Sequence, residues 1–197
     1  MKKYRIGIFT SFVLASSLLI IGCEGDGKSA NVADLTQYTL QGTTYLSQNQ
    51  FKAAINSANN AVAAYPDHID GYLILAKIYN KIGQSNQSID ILNAYMGEKN
   101  SDYYLLLLES YLLSSKAISA NKIIEQHSDY LSQDKNQFKL LQAKLFLLEN
   151  NNEQALLIFN ELQQIPTFKA EGFIGAAQVA TAVSNKNEAL ILLDQAL

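Results

Sequence analysis

Side chains able to do chemistry are scarce in this sequence of 197 residues, which contains one cysteine and two histidines. Neither His68 nor His127 has a second His, Cys or carboxylate at a spacing typical of zinc ligands. We interpret His68, which follows Pro66 and Asp67, as an exposed loop residue rather than a metal ligand or an acid–base group. Asp67 and Asp70 are typical of helix starts, not of a catalytic carboxylate pair. The sequence therefore predicts no catalytic residue, no metal site, no cofactor and no enzymatic activity.

Cys23 ends an N-terminal segment that has the features of a secretory signal. A basic start precedes an apolar run over residues 6–21, and Gly22 and Cys23 follow. The run is short for a membrane-spanning helix, which needs about 20 apolar residues. The segment resembles the bacterial lipoprotein box, in which the cysteine is lipidated and becomes the new N-terminus. The alternative interpretation is an uncleaved membrane anchor with an incidental thiol.

The lipoprotein resemblance implies a signal peptide over residues 1–22 and a lipid on Cys23, which leaves no thiol for nucleophilic chemistry. In such proteins an Asp after the cysteine usually causes retention at the inner membrane, and here Glu24 follows instead. The implied location is the bacterial cell envelope, at the periplasmic face of the outer membrane. Two glycines and several polar residues next to Cys23 predict a flexible tether over residues 23–34.

The charge of the remaining chain argues against nucleic-acid binding. Three of the 15 basic residues lie in residues 1–22, whereas none of the 18 acidic residues does, so the net charge beyond residue 22 is −6. Arg5 is the only arginine of the chain. Without a basic face or guanidinium groups, neither nucleic acid nor an anionic lipid surface is an expected partner.

The sequence after the tether repeats itself in steps of 34, 32, 35 and 34 residues. Four columns of residues share these steps, which makes chance a poor explanation. Two columns are small or mostly small, one is mostly aromatic, and one holds large residues that open each unit. They are Ala54, Ser88, Ala120, Ala155 and Ala189; Gly42, Ala76, Leu108, Ala143 and Ala177; Tyr45, Tyr79, Tyr111, Phe146 and Ala180; and Tyr38, Tyr72, Tyr104, Lys139 and Phe173.

This pattern resembles the tetratricopeptide repeat family, whose units run bulky residue, Leu-Gly or Leu-Ala, Tyr, turn, Ala and then Pro. The first unit matches it with Tyr38, Gly42, Tyr45, Ala54 and Pro66. Later units follow the pattern less closely. The resemblance covers residue 35 to the end of the sequence and implies stacked helix pairs, without implying a particular ligand.

The predicted fold is an all-α, right-handed α-solenoid of about five stacked helix-turn-helix hairpins over residues 35–197, with the last one incomplete. One hairpin cannot bury its own apolar face, so neighbouring hairpins supply the core. The predicted hairpins span residues 35–68, 69–100, 101–135, 136–169 and 170–197. Turns are predicted at Asn49, Gly83, Ser115, Asn150 and Ser184, since a turn that ends a helix favours Gly or Asn.

The repeat also predicts the role of one histidine and of one apolar edge. His127 falls in a column that Ala61, Tyr95 and Leu162 occupy elsewhere, which predicts a packing residue rather than a ligand. Leu193, with Leu190 and Leu197, is predicted to present an apolar edge, because no capping helix follows it. A longer chain, a partner or a second copy would cover that edge.

The repeat resemblance implies that ligands meet first-helix positions one turn apart. The predicted groove contains Thr39, Thr43, Leu73, Lys77, Asn80, Lys81, Leu105, Leu112 and Lys144, with Leu113 and Leu147 at equivalent positions. The clamp that some members use for a terminal carboxylate is absent. Such a groove would instead hold an extended or helical segment with acidic and apolar residues. The alternative is that Lys77 and Lys81 form only a solvated face.

Together these patterns predict a non-enzymatic scaffold that binds other envelope proteins and is anchored to the membrane through Cys23. Its resemblance to long repeat lipoproteins favours a role in exopolysaccharide export or in assembly of another envelope machine, an inference from fold analogy alone. Two alternatives remain: the docking portion of a larger repeat protein or enzyme, and a self-associating structural subunit.

Overall fold

Ten α-helices and two short 3₁₀ turns follow one another in the computed structural model, which describes residues 32–197. The helices are α1 (Val32–Ser47), α2 (Phe51–Ala64), α3 (Ile69–Lys81), α4 (Ser85–Ala94), α5 (Ser101–Leu113), α6 (Ala117–Leu131), α7 (Lys135–Leu148), α8 (Asn152–Leu162), α9 (Lys169–Ala182) and α10 (Lys186–Gln195). The predicted signal peptide and Cys23 lie outside the described residues. Helix α1 begins at Val32, so residues 32–34 of the predicted tether are helical.

The helices form five hairpins, each made of a first helix (α1, α3, α5, α7 or α9) and a second helix. Every helix packs against the next one in the chain, and successive first helices also pack against one another. Comparable contacts between successive second helices are absent from residues 32–197. First helices therefore form the more closely packed layer of a stack. The predicted all-α array of hairpins is confirmed, and no strand occurs among the described residues.

Five equivalent turns close the hairpins at the residues predicted from the sequence. Asn49, Gly83, Ser115, Asn150 and Ser184 have φ values of 57°, 77°, 56°, 61° and 64°, in the left-handed region. In each turn the following amide donates to the carbonyl of the mostly aromatic column at 2.8 Å, as Gln50 N does to Tyr45 O. This pattern is the Schellman motif, which satisfies the carbonyls left free where a helix ends.

The small-residue columns lie where the two helices of a hairpin meet. Ala54, Ser88, Ala120 and Ala155 are fully buried, and Ala189 is 6% exposed. Their small side chains allow close packing of the helices, and larger residues fill the space between hairpins, among them Leu92 and Phe159. None of the helices within residues 32–197 is both long and apolar enough to cross a bilayer.

A further column sets how closely one hairpin approaches the next. Gly71 and Gly172 occupy it in the second and fifth hairpins, and a Cβ on either would lie within 3.0 Å of the preceding second helix, at Val62 N and Gln163 N respectively. Tyr103 holds the equivalent position in α5. Backbones therefore approach closely where glycine is present, whereas the third and fourth hairpins carry the bulky Tyr103 and Phe138 in this column.

Candidate binding groove along the first helices

The first helices of the third, fourth and fifth hairpins line a cavity of about 450 Å³. This cavity, together with the equivalent face of α3, is called the first-helix groove below. The cavity is lined by Glu109, Leu112 and Leu113 of α5, Lys144, Leu147 and Leu148 of α7, and Gln178 of α9. Its volume falls within the range of about 300–1,000 Å³ that is usual for ligand pockets.

Leucines form most of the wall of the cavity. Leu112 and Leu113 follow Glu109 by three and four residues on α5, and residues at this spacing share one face of a helix. The same spacing recurs on α7 after Lys144. Leu112, Leu147 and Leu148 are half-buried, and Leu113 is 54% exposed. Scattered exposed leucines are ordinary on a protein surface, but a contiguous group facing one cavity marks an interaction site. The groove thus offers apolar surface that a partner would remove from water.

Three charged residues and one glutamine follow one line along the groove. Lys77, Glu109, Lys144 and Gln178 hold the same position in consecutive first helices, and Lys81 lies one turn beyond Lys77. Lys77 and Lys81 are exposed, whereas Glu109 and Lys144 are half-buried. Within residues 32–197 the only ion pair joins Lys139 to Glu161, so the groove lysines carry no ion-paired charge there.

Several predicted groove residues contribute to this surface. Leu112 and Lys144 line the cavity, as do Leu113 and Leu147. Lys77 and Lys81 lie on α3, outside the cavity but on the continuation of the same face. The structure therefore brings together the apolar part of the prediction and places two of the three predicted lysines beside it.

Other predicted residues are engaged within the fold. Leu73 and Leu105 are only 6% and 7% exposed and belong to the core between hairpins, so they lie beneath the groove rather than in contact with a ligand. The hydroxyls of Thr39 and Thr43 donate to carbonyls of their own helix, at Thr36 O and Thr39 O. These four residues shape or flank the groove without offering free side-chain groups to it.

Asn80 belongs to a polar network between the second and third hairpins. Its Nδ2 donates to Ser110 Oγ at 3.0 Å, and Ser110 Oγ donates to Leu106 O at 2.7 Å. Ser88 Oγ lies 2.8 Å from Ser110 Oγ and acts as donor, because the Ser110 proton is already used. Asn80 therefore connects hairpins, and this structural role was not visible in its predicted place on a ligand-binding face.

Sequence reasoning missed Glu109, Leu148 and Gln178 as groove residues. A signal was available, because Glu109 and Gln178 share the column of Lys77 and Lys144, and Leu148 shares that of Lys81 and Leu113. The negative charge of Glu109 matters for recognition, since Glu109 places one carboxylate among the lysines. It divides the groove into two basic parts, one around Lys77 and one around Lys144.

Neither histidine lines the cavity of this groove. His68 is exposed and makes an edge contact with the Tyr65 ring, with centroids 6.0 Å apart. His127 stacks on Tyr104 at 3.9 Å between ring centroids. No group of three or more possible metal ligands occurs among the described residues.

Comparison with known proteins supports the repeat assignment. The family model described as tetratricopeptide repeat matches residues 45–111, less than half of the chain. No curated protein sequence matches the chain.

Solved structures of the same architecture overlap most of the chain. The structure of MamA protein has a TM-score of 0.52 and 16% sequence identity, over 85% of this chain and 92% of that one. YrrB, described as a TPR protein with an unusual peptide-binding site, has a TM-score of 0.52 and 17% sequence identity, over 85% of this chain and 87% of that one. A tetratricopeptide repeat protein from Parabacteroides merdae ATCC 43184 has a TM-score of 0.66 and 16% sequence identity, over 85% of this chain and 66% of that one. At these identities the likeness establishes the fold and nothing finer.

Proposed function

We propose that this protein is a non-enzymatic scaffold that binds a segment of another protein in the first-helix groove. The observation that carries the proposal is the cavity formed by four leucines with Lys144 and Glu109 at its edge. A groove of this kind accepts an amphipathic helix or an extended chain, whose apolar side chains enter between the leucines. The fold, shared with a repeat protein described as peptide-binding, is consistent with that use.

The charges of the groove specify the chemistry of the segment. Lys77, Lys81 and Lys144 outnumber Glu109, although the chain beyond residue 22 is acidic as a whole. A segment with acidic residues on either side of an apolar core would pair its carboxylates with these lysines. Complementary charge of this kind raises specificity and association rate more than affinity alone.

Anchoring through a lipid on Cys23 is the second part of the proposal. The support is the basic start, the apolar run and the position of the only cysteine, at residue 23. A diacyl group with an additional amide-linked chain would hold the protein durably, since a single acyl chain binds membranes only marginally. The scaffold would then recruit envelope proteins at the periplasmic face of the outer membrane, with exopolysaccharide export as the favoured machine.

Reversing the charge of α3 should weaken binding of an acidic partner. We expect Lys77→Glu with Lys81→Glu to reduce affinity for a labelled Glu/Leu-rich amphipathic peptide by about tenfold, through lost attraction and added repulsion. A Lys/Leu-rich peptide of equal length should bind weakly to the unchanged protein and better to the variant. Fluorescence anisotropy at two salt concentrations measures both effects.

The matched control reverses two exposed lysines of second helices, Lys52→Glu with Lys186→Glu, at the same net charge. It should leave both peptide affinities unchanged. An equal loss of affinity in the control would show that overall charge causes the effect. An unchanged affinity in the Lys77/Lys81 variant would show that α3 does not contribute to binding. In cross-linking pull-downs from envelopes, proteins captured by the unchanged protein and by the control should be lost with the Lys77/Lys81 variant.

Self-association is the second candidate function, favoured by the surface of α10. Leu190, Ile191 and Leu193 are 67%, 60% and 44% exposed, whereas Phe159, which holds the position of Leu193 in α8, is fully buried. The predicted apolar edge is thus present on the last described helix. A second copy, or further chain of a larger repeat protein, would cover it as α9 covers α8.

Charged substitutions on α10 should show whether a second copy of the chain covers this apolar edge. We expect the unchanged protein to form dimers in multi-angle light scattering and Leu190→Asp with Leu193→Asp to give monomers, because burying unpaired carboxylates is unfavourable. Asn187→Asp with Gln195→Asp serves as a charge-matched control on the same helix. The same molar mass for all three proteins, equal to one chain, would exclude self-association through α10.

A further inference from the structure

A second cleft lies between the second and third hairpins, away from the first-helix groove. It has a volume of about 370 Å³, and its walls come from α5, from α6, from the connection that precedes α5 and from Asn93 of α4. Lys99, Tyr103, Tyr104, Lys122 and His127 are the lining residues with distinctive chemistry. We call it the lysine–tyrosine cleft.

Two features of the fold distinguish the walls of this cleft. Tyr103 is buried at the position that glycine holds in the second and fifth hairpins, and Phe138 holds it in the fourth. In addition, α6 has a non-helical residue at His127, with φ −134° and ψ 27°. This kink turns the His127 ring onto Tyr104, where the two stack at 22° between ring planes. The cleft is therefore built by specific residues of these two hairpins.

The lining groups are cations and hydrogen-bond donors. Lys99 Nζ lies 5.3 Å from the centroid of the Tyr103 ring, which orients the ammonium group over the cleft. Lys122 lines the same space, and Asn93, Ser119 and Gln126 add neutral polar groups. Burial raises the pKa of Tyr103 to about 12. No carboxylate is found among the lining residues of this cleft.

We propose that the lysine–tyrosine cleft binds a small organic oxyanion, with its carboxylate or phosphate group held by Lys99 and Lys122 and its remaining polar groups facing the neutral polar side chains that line the cleft. A site with two ammonium groups and no carboxylate is complementary to such a group and unfavourable for a cation. The proposal does not depend on the first-helix groove. Its ligand is a small molecule, whereas the groove is suited to a protein segment.

An adjoining space shows where the rest of the ligand would extend. A second cavity of about 550 Å³ shares Lys99 and Tyr104 with the cleft and is also lined by Tyr130 and Glu98. The carboxylate of Glu98 disfavours a second anionic group there. The ligand therefore carries its charge at one end and neutral, hydroxyl-rich or aromatic character at the other, as a sugar acid or a sugar phosphate does.

His127 provides a built-in reporter for binding. Burial and, to a smaller extent, the nearby Lys99 ammonium lower the pKa of His127. The other titratable groups that line the cleft are Tyr103, Tyr104 and Tyr111 of α5 and Lys122 of α6. An oxyanion beside Lys99 favours the protonated imidazole and so raises this pKa. His68, the only other histidine, is exposed on a different connection and serves as internal reference.

The experiment is an NMR titration of both histidines in the full-length chain, with glucuronate, inorganic phosphate or neutral glucose at constant ionic strength. We expect glucuronate to raise the pKa of His127 by at least about half a unit, with no change at His68 and none with glucose. An equal rise with phosphate shows that the oxyanion alone suffices, whereas a rise with glucuronate only shows that the sugar ring is also recognised. An unmoved His127, or equal shifts at both histidines, would overturn the proposal.

Lysine variants make the assignment specific. Lys99→Gln should raise the pKa of His127 in the free protein and abolish the further rise on adding anion, and Lys122→Gln should abolish only the latter. The exposed control Lys52→Gln should behave as the unchanged protein. Circular dichroism verifies that each variant is folded. A full anion-induced rise in both cleft variants would contradict the proposal.

Discussion

Phe159→Ala is expected to lower the free energy of unfolding by about 3–5 kcal/mol. The ring is fully buried, and it belongs to the core cluster that includes Leu140, Leu162 and Val179. Its removal leaves a cavity between α8 and α9, because Gly175, which faces the ring, has no side chain that could fill the space. Urea denaturation followed by far-UV circular dichroism measures the loss.

Leu157→Ala on the same helix is the matched control. Leu157 is 56% exposed, so its truncation should change stability by no more than about 0.5 kcal/mol. A Phe159→Ala variant that loses less than about 1 kcal/mol would show that the fourth and fifth hairpins repack around the gap. Comparing the stability losses of these two variants tests whether the face of α8 that the repeat assigns to the core is the buried one.

The hairpin turns could be predicted because their requirement is local. A backbone at positive φ favours Gly or Asn, and a serine there is marked by its place in the same column. Ser115 and Ser184 would not have been recognised alone, but Asn49, Gly83 and Asn150 lie at the same point of their units. The repeat period therefore allowed the two serine turns to be predicted from the three turns that contain Asn or Gly.

The groove was only partly predictable because exposure depends on the neighbouring hairpin. Leu105 and Leu112 lie two helical turns apart on α5, and the period alone does not distinguish them. The adjacent first helices cover Leu105 and leave Leu112 half-buried at the cavity. Asn80 likewise has a position on the groove side, but its partner Ser110 is 30 residues away. Such a contact follows from stacking, which a single helix does not encode.

His127 illustrates the opposite case, in which a column was a weak guide. Ala61 and Leu162 are fully buried at this position, whereas His127 is half-buried and lies at a kink. It packs on Tyr104, as its interpretation as a packing residue required, but it also lines the lysine–tyrosine cleft. The second hairpin carries Tyr95 at this position, and His127 brings an imidazole to the wall of the cleft.

Gly175→Ala is expected to destabilise the protein by about 2–3 kcal/mol, although alanine favours helices. Replacing Gly by Ala inside a helix ordinarily gains about 1 kcal/mol. At Gly175, however, the added Cβ would lie 2.2 Å from carbons of the Phe159 ring, which is buried and has no free space to enter. Gly42→Ala is the control, since its Cβ would meet the Ile74 side chain at 3.1 Å, a contact that a small adjustment relieves.

The clash predicts a coupling that only direct contact explains. Phe159→Leu removes part of the ring volume, so in its presence Gly175→Ala should cost about 1–2 kcal/mol less than it does alone. The measurement is a double-mutant cycle by urea denaturation with far-UV circular dichroism. Effects that add within about 0.5 kcal/mol would mean that α9 does not rest on Phe159 as described. Because the Phe159 ring packs directly against Gly175 of α9, the cycle tests how the fifth hairpin is held on the fourth, and with it the position of Gln178 at the end of the first-helix groove.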